Sequence, residues 1–160
     1  MSRISTAWLR ASGALCIAGA LLHLAIPFGG PAWYSFAGAP QGLVAMAEAG
    51  RARPIVSCVV IACLLLVFAA YAFSALGLLR RLPATRVVLG VVGVGLVVRG
   101  LWFPVLALRD PAALGRLCGR CGGLNAFVVA TSALCLLIGV GFLAGAWVTN
   151  ERRRRGGSLS

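Results

Sequence analysis

Four apolar runs, each long enough to cross a bilayer, constrain this chain more than any other feature. A crossing helix needs about 20 mainly apolar residues, because each adds about 1.5 Å toward a hydrocarbon core about 30 Å thick. Residues 11–28, 54–79, 87–108 and 124–148 meet that demand, and each run is bounded by arginine, proline or glycine. With 61% hydrophobic and 11% charged residues in a chain of 160, too little polar surface remains to hide four such runs in water. None of the runs alternates with a period of two, as barrel strands do, and backbone groups in lipid must bond within their own segment. The expected fold is therefore all-α: a polytopic membrane protein with a four-helix transmembrane bundle over residues 1–150 and a disordered basic tail over 151–160.

All fifteen basic residues are arginine, against three acids, for a net charge of +12. Basic flanks near a span resist translocation, so their placement orients the chain. Arg3, Arg10, Arg80, Arg81, Arg86, Arg152, Arg153, Arg154 and Arg155 fall on one side. Arg51, Arg53, Arg109, Arg116 and Arg120 fall on the other. The excess predicts that both termini are cytoplasmic, in a bacterial inner membrane. A cleaved leader over residues 1–20 is the rival reading, but the apolar run continues through Leu21, Leu22, Leu24 and Ile26, which suits an uncleaved span. The four arginines that follow the last span read as a topology signal near anionic headgroups, not as a nucleic-acid site.

The first external segment, residues 29–53, is too long for a tight turn. Gly29-Gly30-Pro31 breaks the chain, and Trp33, Tyr34 and Phe36 follow as rings suited to the membrane surface. Residues 41–50 then read as a short amphipathic helix. The connection from Arg80 to Arg86, with Pro83, is tight and makes spans two and three antiparallel neighbours.

Arg99 lies inside the third span, where a guanidinium costs about 2.5–3.5 kcal/mol on insertion scales and needs compensation. Pro104 removes a backbone donor and gives the helix a place to kink, letting water approach. His23, Ser57, Cys58, Asn125, Thr131 and Ser132 share its leaflet by residue count, Glu48 in the first external segment can fold over them, and Trp33 and Tyr34 stand where a lid would be. An outward-facing pocket that binds or conducts a small anion or other polar ligand, or modulates a partner, with Glu48 pairing Arg99, is the expectation from these residues. A structural arginine tied to backbone carbonyls or lipid phosphate is the rival. Against it stand a lone interfacial His23 and a solvated Glu48.

Cys118-Gly119-Arg120-Cys121 precedes span four. A CxxC beside arginines at a helix N-terminus lowers a thiol pKa and suits disulfide exchange. In this layout the chain resembles the vitamin K epoxide reductase family, whose four-helix core carries a CxxC at the start of its fourth span and passes electrons to a quinone. That family has a second cysteine pair in its first external loop, and residues 29–53 contain no cysteine. A thiol oxidoreductase using Cys118 and Cys121 is thus the alternative reading, with a structural disulfide beside it. No second pair of ligands supplies a zinc site, and no nucleotide loop, HExxH, GxSxG or paired carboxylates are present, so an enzyme is disfavoured and no cofactor is expected. Small residues such as Gly90, Gly93, Gly95, Gly141 and Gly145 suit close helix packing, within one bundle, in a homodimer or against a partner in an assembly role.

His23, Gly29-Gly30-Pro31-Ala32-Trp33-Tyr34, Gly38-Ala39, Met46-Ala47-Glu48-Ala49-Gly50, Tyr71-Ala72-Phe73-Ser74, Arg81-Leu82-Pro83 and Arg99-Gly100-Leu101 together resemble a group of uncharacterised small bacterial inner-membrane proteins. The likeness covers about residues 15–105, implies a four-span fold and carries no activity.

Overall fold

The computed structural model describes residues 3–156, with side chains for 4–147. Seven α-helices appear among them: α1 (Arg3–Ala25), α2 (Gly30–Phe36), α3 (Gln41–Glu48), α4 (Arg53–Leu76), α5 (Thr85–Arg109), α6 (Pro111–Leu117) and α7 (Ala126–Gly156), with a 3-10 turn at Ile26–Gly29 between α1 and α2. No strand occurs among the described residues. Four of the helices are long and apolar enough to cross a membrane. Their outer surfaces are apolar too: Phe28 is 93% exposed, Val91 67% and Trp147 72%. Surface of that kind, continuous around the bundle, is a lipid-facing surface, and the chain is a four-helix membrane protein.

The first helix begins at Arg3, a full two turns before the apolar run, because an α-helix continues through exposed Arg10 at no packing cost. At the other end α7 runs on to Gly156, into the basic segment read above as disordered; residues 157–160 of that tail lie outside the described residues. The short helix expected over 41–50 is α3. Helix α6 was not anticipated. Pro111 opens it, and Asp110 caps it by accepting the Ala113 amide at 2.8 Å.

Helices α1 and α4 pack antiparallel, as do α5 and α7, and α1 also packs on α7. The order around the bundle is α4, α1, α7, α5, with α4 and α5 meeting more lightly. Antiparallel packing of α5 on α7 is close because glycines let the backbones meet. A Cβ on Gly139 would lie 2.9 Å from the Gly93 carbonyl oxygen and 3.0 Å from the Val97 nitrogen; one on Gly100 would lie 2.9 Å from the Ser132 carbonyl oxygen. Gly141 and Gly145 serve the α1–α7 contact in the same way, against Ser12 and Leu9. Gly90 and Gly95, expected to share this role, meet nothing within 4 Å. Lipid supplies no hydrophobic drive between helices, so such van der Waals contact is what holds the bundle.

The α4–α5 turn is stitched by Ser74. Its hydroxyl donates to the Arg80 carbonyl at 3.1 Å and accepts the Leu82 amide at 2.9 Å. Gly77, with φ +78°, ends α4 in the left-handed conformation that a side chain disfavours. This end of the bundle also holds the start of α1 and the end of α7. The opposite end carries α2, α3 and α6.

Candidate functional site: the buried end of Arg99

At the loop-bearing end, α2 and α3 sit on the first pair of long helices. Tyr34 is 3% exposed and packs with Ile26 and Cys58, flanked by Leu43, Val44 and Ala47 of α3. Trp33 is 46% exposed, as an interfacial ring should be, and a Cβ on Gly29 would fall on its indole. The segment after α2 then reaches across to the other helix pair. The Gly119 amide donates to the Gly38 carbonyl at 3.2 Å, and Arg120 Nη1 donates to the Phe36 carbonyl at 3.0 Å. The Arg120 guanidinium stands 5.3 Å from the ring centres of both Phe36 and Phe127. Gly38 has φ +80°, and a Cβ there would meet the Phe127 ring at 2.6 Å and Cys118 Sγ at 3.3 Å, so both its conformation and its contacts require glycine.

Cys118 and Cys121 form a disulfide under this clasp. The pair is buried, at 8% and 1% exposure, in an apolar cluster with Ala107, Leu114 and Val128. Asn125 caps α7: its Oδ1 accepts the Val128 amide at 3.0 Å, and its Nδ2 donates to the Arg120 carbonyl at 2.8 Å. Both ends of that side chain are engaged in holding the loop.

Arg99 lies beneath this cluster on α5. Its guanidinium carbon stands 3.8 Å from the centre of the Phe103 ring, one turn toward the loop-bearing end. One terminal nitrogen, Nη1, is buried without a hydrogen-bond partner. Because Gly100 meets the Ser132 carbonyl, Arg99 and Ser132 stand at nearly the same depth, and the Ser132 hydroxyl is also buried without a partner. The Tyr34 hydroxyl is buried as well, but beside the Cys58 thiol in the separate cluster with Ile26. A buried donor or acceptor left unpaired costs about 1–3 kcal/mol, more when charged, so Arg99 and Ser132 carry the costly groups in this half of the bundle.

The other residues singled out from sequence stand apart from Arg99. Glu48 is exposed at the end of α3, which packs on α2 and α4, and it supplies no hydrogen bond to the buried nitrogen. His23 is half-buried on α1, across the bundle from α5, with Nδ1 2.8 Å from the Gly19 carbonyl oxygen of its own helix. Ser57 and Thr131 likewise donate to carbonyls one turn back, at 3.0 Å and 2.8 Å. Ser132, which shares the leaflet of Arg99 by residue count, gains from the structure its register, with its carbonyl against Gly100.

A shallow groove of about 330 Å³ lies far from Arg99, between α1 and α7, lined by Ala7, Trp8, Ala11, Ser12, Leu15 and Leu137. No group of His, Cys, Asp and Glu able to hold a metal occurs among the described residues. No family model, no curated protein and no solved structure matches the chain.

Proposed function

We propose that this is a small integral membrane protein that binds a small polar ligand in the half of its bundle nearer the loops, with Arg99 as the anchor and Ser132 as a second hydrogen-bonding group. The observation that carries this reading is the buried, unpartnered Nη1 of Arg99. A charged donor in a bilayer core is retained against a cost of a few kcal/mol, and a donor with no internal partner serves something outside the chain. The Gly38–Arg120 clasp closes the loop-bearing end above the site, and Pro104, about one and a half turns before the end of α5, leaves the Gly100 carbonyl without its helical donor.

In this reading the protein sits in a bacterial inner membrane with both termini in the cytoplasm, so that the site opens outward. The uneven placement of arginine supports that orientation. Kinship with the small inner-membrane group whose motifs it carries belongs to the same proposal. The disulfide is a staple for the clasp: its sulfurs are buried under Gly38, and Cys16, Cys58, Cys63 and Cys135, the free cysteines, all lie within long helices. A thiol oxidoreductase would need an open sulfur and a relay.

The sign of one substitution tests the proposal. Arg99→Met fills similar volume without an unpaired charge. If Arg99 is a ligand anchor, this variant unfolds at a higher temperature than the parent in detergent free of added ligand, the usual trade of function against stability. A structural arginine that holds the bundle together would give a lower one.

A further inference from the structure

Resting on that reading, we infer that the ligand of the Arg99 site is an oxyanion, a carboxylate or phosphoryl group, whether free in solution or on a lipid headgroup. The chain has three acids, and each is placed where it cannot neutralise Arg99. Glu48 is exposed on α3, which packs on α2 and α4. Asp110 is exposed, and its Oδ1 is engaged by the Ala113 amide at the start of α6. Glu151 lies on the far stretch of α7, nineteen residues from Ser132, or about 28 Å along the helix. A guanidinium stays charged at any accessible pH, so its counter-charge has to come from outside the chain.

The arrangement around Arg99 matches an oxyanion in shape as well as in sign. Phe103 covers the face of the guanidinium, which leaves the in-plane N–H edge as the free one, and Nη1 on that edge has no partner. A guanidinium edge can offer two parallel donors to a carboxylate or phosphate, the pairing for which arginine is better suited than lysine, and Nη1 is one donor of such an edge. The Ser132 hydroxyl, unpartnered and on the helix that packs against α5 at this depth, is the further donor the inference assigns to the anion. The approach is basic as well: Arg51, Arg53, Arg109, Arg116 and Arg120 are all exposed at the loop-bearing end, against the two acids Glu48 and Asp110. Such a rim raises the local concentration of anions and not of cations or neutral solutes.

The test uses the full chain in a maltoside detergent, which carries no phosphate, and follows the thermal unfolding midpoint at ionic strength held with sodium chloride. The probes are inorganic phosphate, acetate, a short-chain phosphatidylglycerol and a neutral polyol. The expected result is a saturable rise with phosphate or acetate that needs at least ten-fold more probe in Arg99→Gln, about three-fold more in Ser132→Ala, and is partly kept in Arg99→Lys. A response to phosphatidylglycerol alone, with the same dependence on Arg99, supports the inference and assigns the anion to a lipid headgroup. An Arg99-dependent response to the polyol alone overturns the anion and leaves a polar-ligand site standing. No Arg99-dependent response to any probe overturns both. Should Arg99→Gln fail to fold, Ser132→Ala decides: an unshifted phosphate response there counts against the site.

Discussion

Arg120 donates from Nη1 to the Phe36 carbonyl at 3.0 Å, a hydrogen bond across 84 residues of chain that ties the first external segment to the loop before α7. With Phe36 and Phe127 on either side of the same guanidinium, one side chain fastens the two halves of the roof. The clasp gathers its strength from contacts that are individually small.

Arg120→Ala removes a hydrogen bond from a charged group and two ring contacts, and the expected loss is about 1–2 kcal/mol of stability. Gly38→Ala should do at least as much harm, since φ +80° and the Phe127 ring both oppose a Cβ. Limited proteolysis with trypsin in detergent, read at Arg51 beyond α3, checks both: faster cleavage is expected in each variant, and cleavage at the parental rate contradicts the clasp.

Asn125→Ala should cost about 1 kcal/mol by uncapping α7. Asn125→Asp keeps the acceptor for the Val128 amide and adds negative charge at a helix N-terminus, but loses the bond to the Arg120 carbonyl, so it should fall between the two. Thermal unfolding of the three proteins gives the order. An Asn125→Ala protein as stable as the parent would release this side chain for ligand binding instead.

Gly139→Ala places a methyl against the Gly93 carbonyl and the Val97 amide, which are backbone and cannot swing aside. A loss of about 1–3 kcal/mol is expected. Gly95→Ala, with nothing within 4 Å, should be within about 0.5 kcal/mol of the parent. Unfolding of both in the same detergent checks the pair, and equal effects would contradict the close approach of α5 and α7.

The buried disulfide should resist a hydrophilic dithiol reductant in the folded protein and yield to it after denaturation. Mass-tagging of the released thiols measures this. Equal labelling in both states would return Cys118 and Cys121 to consideration as an exchange centre.

The spans were legible because bilayer thickness converts directly into a count of apolar residues, and α3 because Pro40 and Gly50 bracket a clean short segment. Helix α6 was missed for lack of length: seven residues carry no periodicity, although Asp110-Pro111 is a start signal. Residue counting placed His23, Glu48 and Arg99 in one leaflet, but depth is not azimuth. Which helix neighbours which around the bundle depends on the match of Gly93 with Gly139 and of Gly100 with Ser132, which sets α5 against α7 and away from α1. The clasp was invisible for a related reason: Gly38 and Cys118 each belong to a motif legible alone, but they are distant in sequence and nothing in either motif points to the other.

Ser132→Cys, in a chain whose Cys16, Cys58, Cys63 and Cys135 are replaced by alanine, tests the Arg99 site most directly. Thiosulfonate reagents that do not cross membranes, one anionic and one cationic, are applied from the loop-bearing side. The expected result is modification at position 132, faster with the anionic reagent, slowed by phosphate, and without charge preference once Arg99→Gln is added. A thiol reached only by a membrane-permeant reagent, with no charge preference and no protection, would mean that the interior beside Arg99 is dry and that no ligand site exists there.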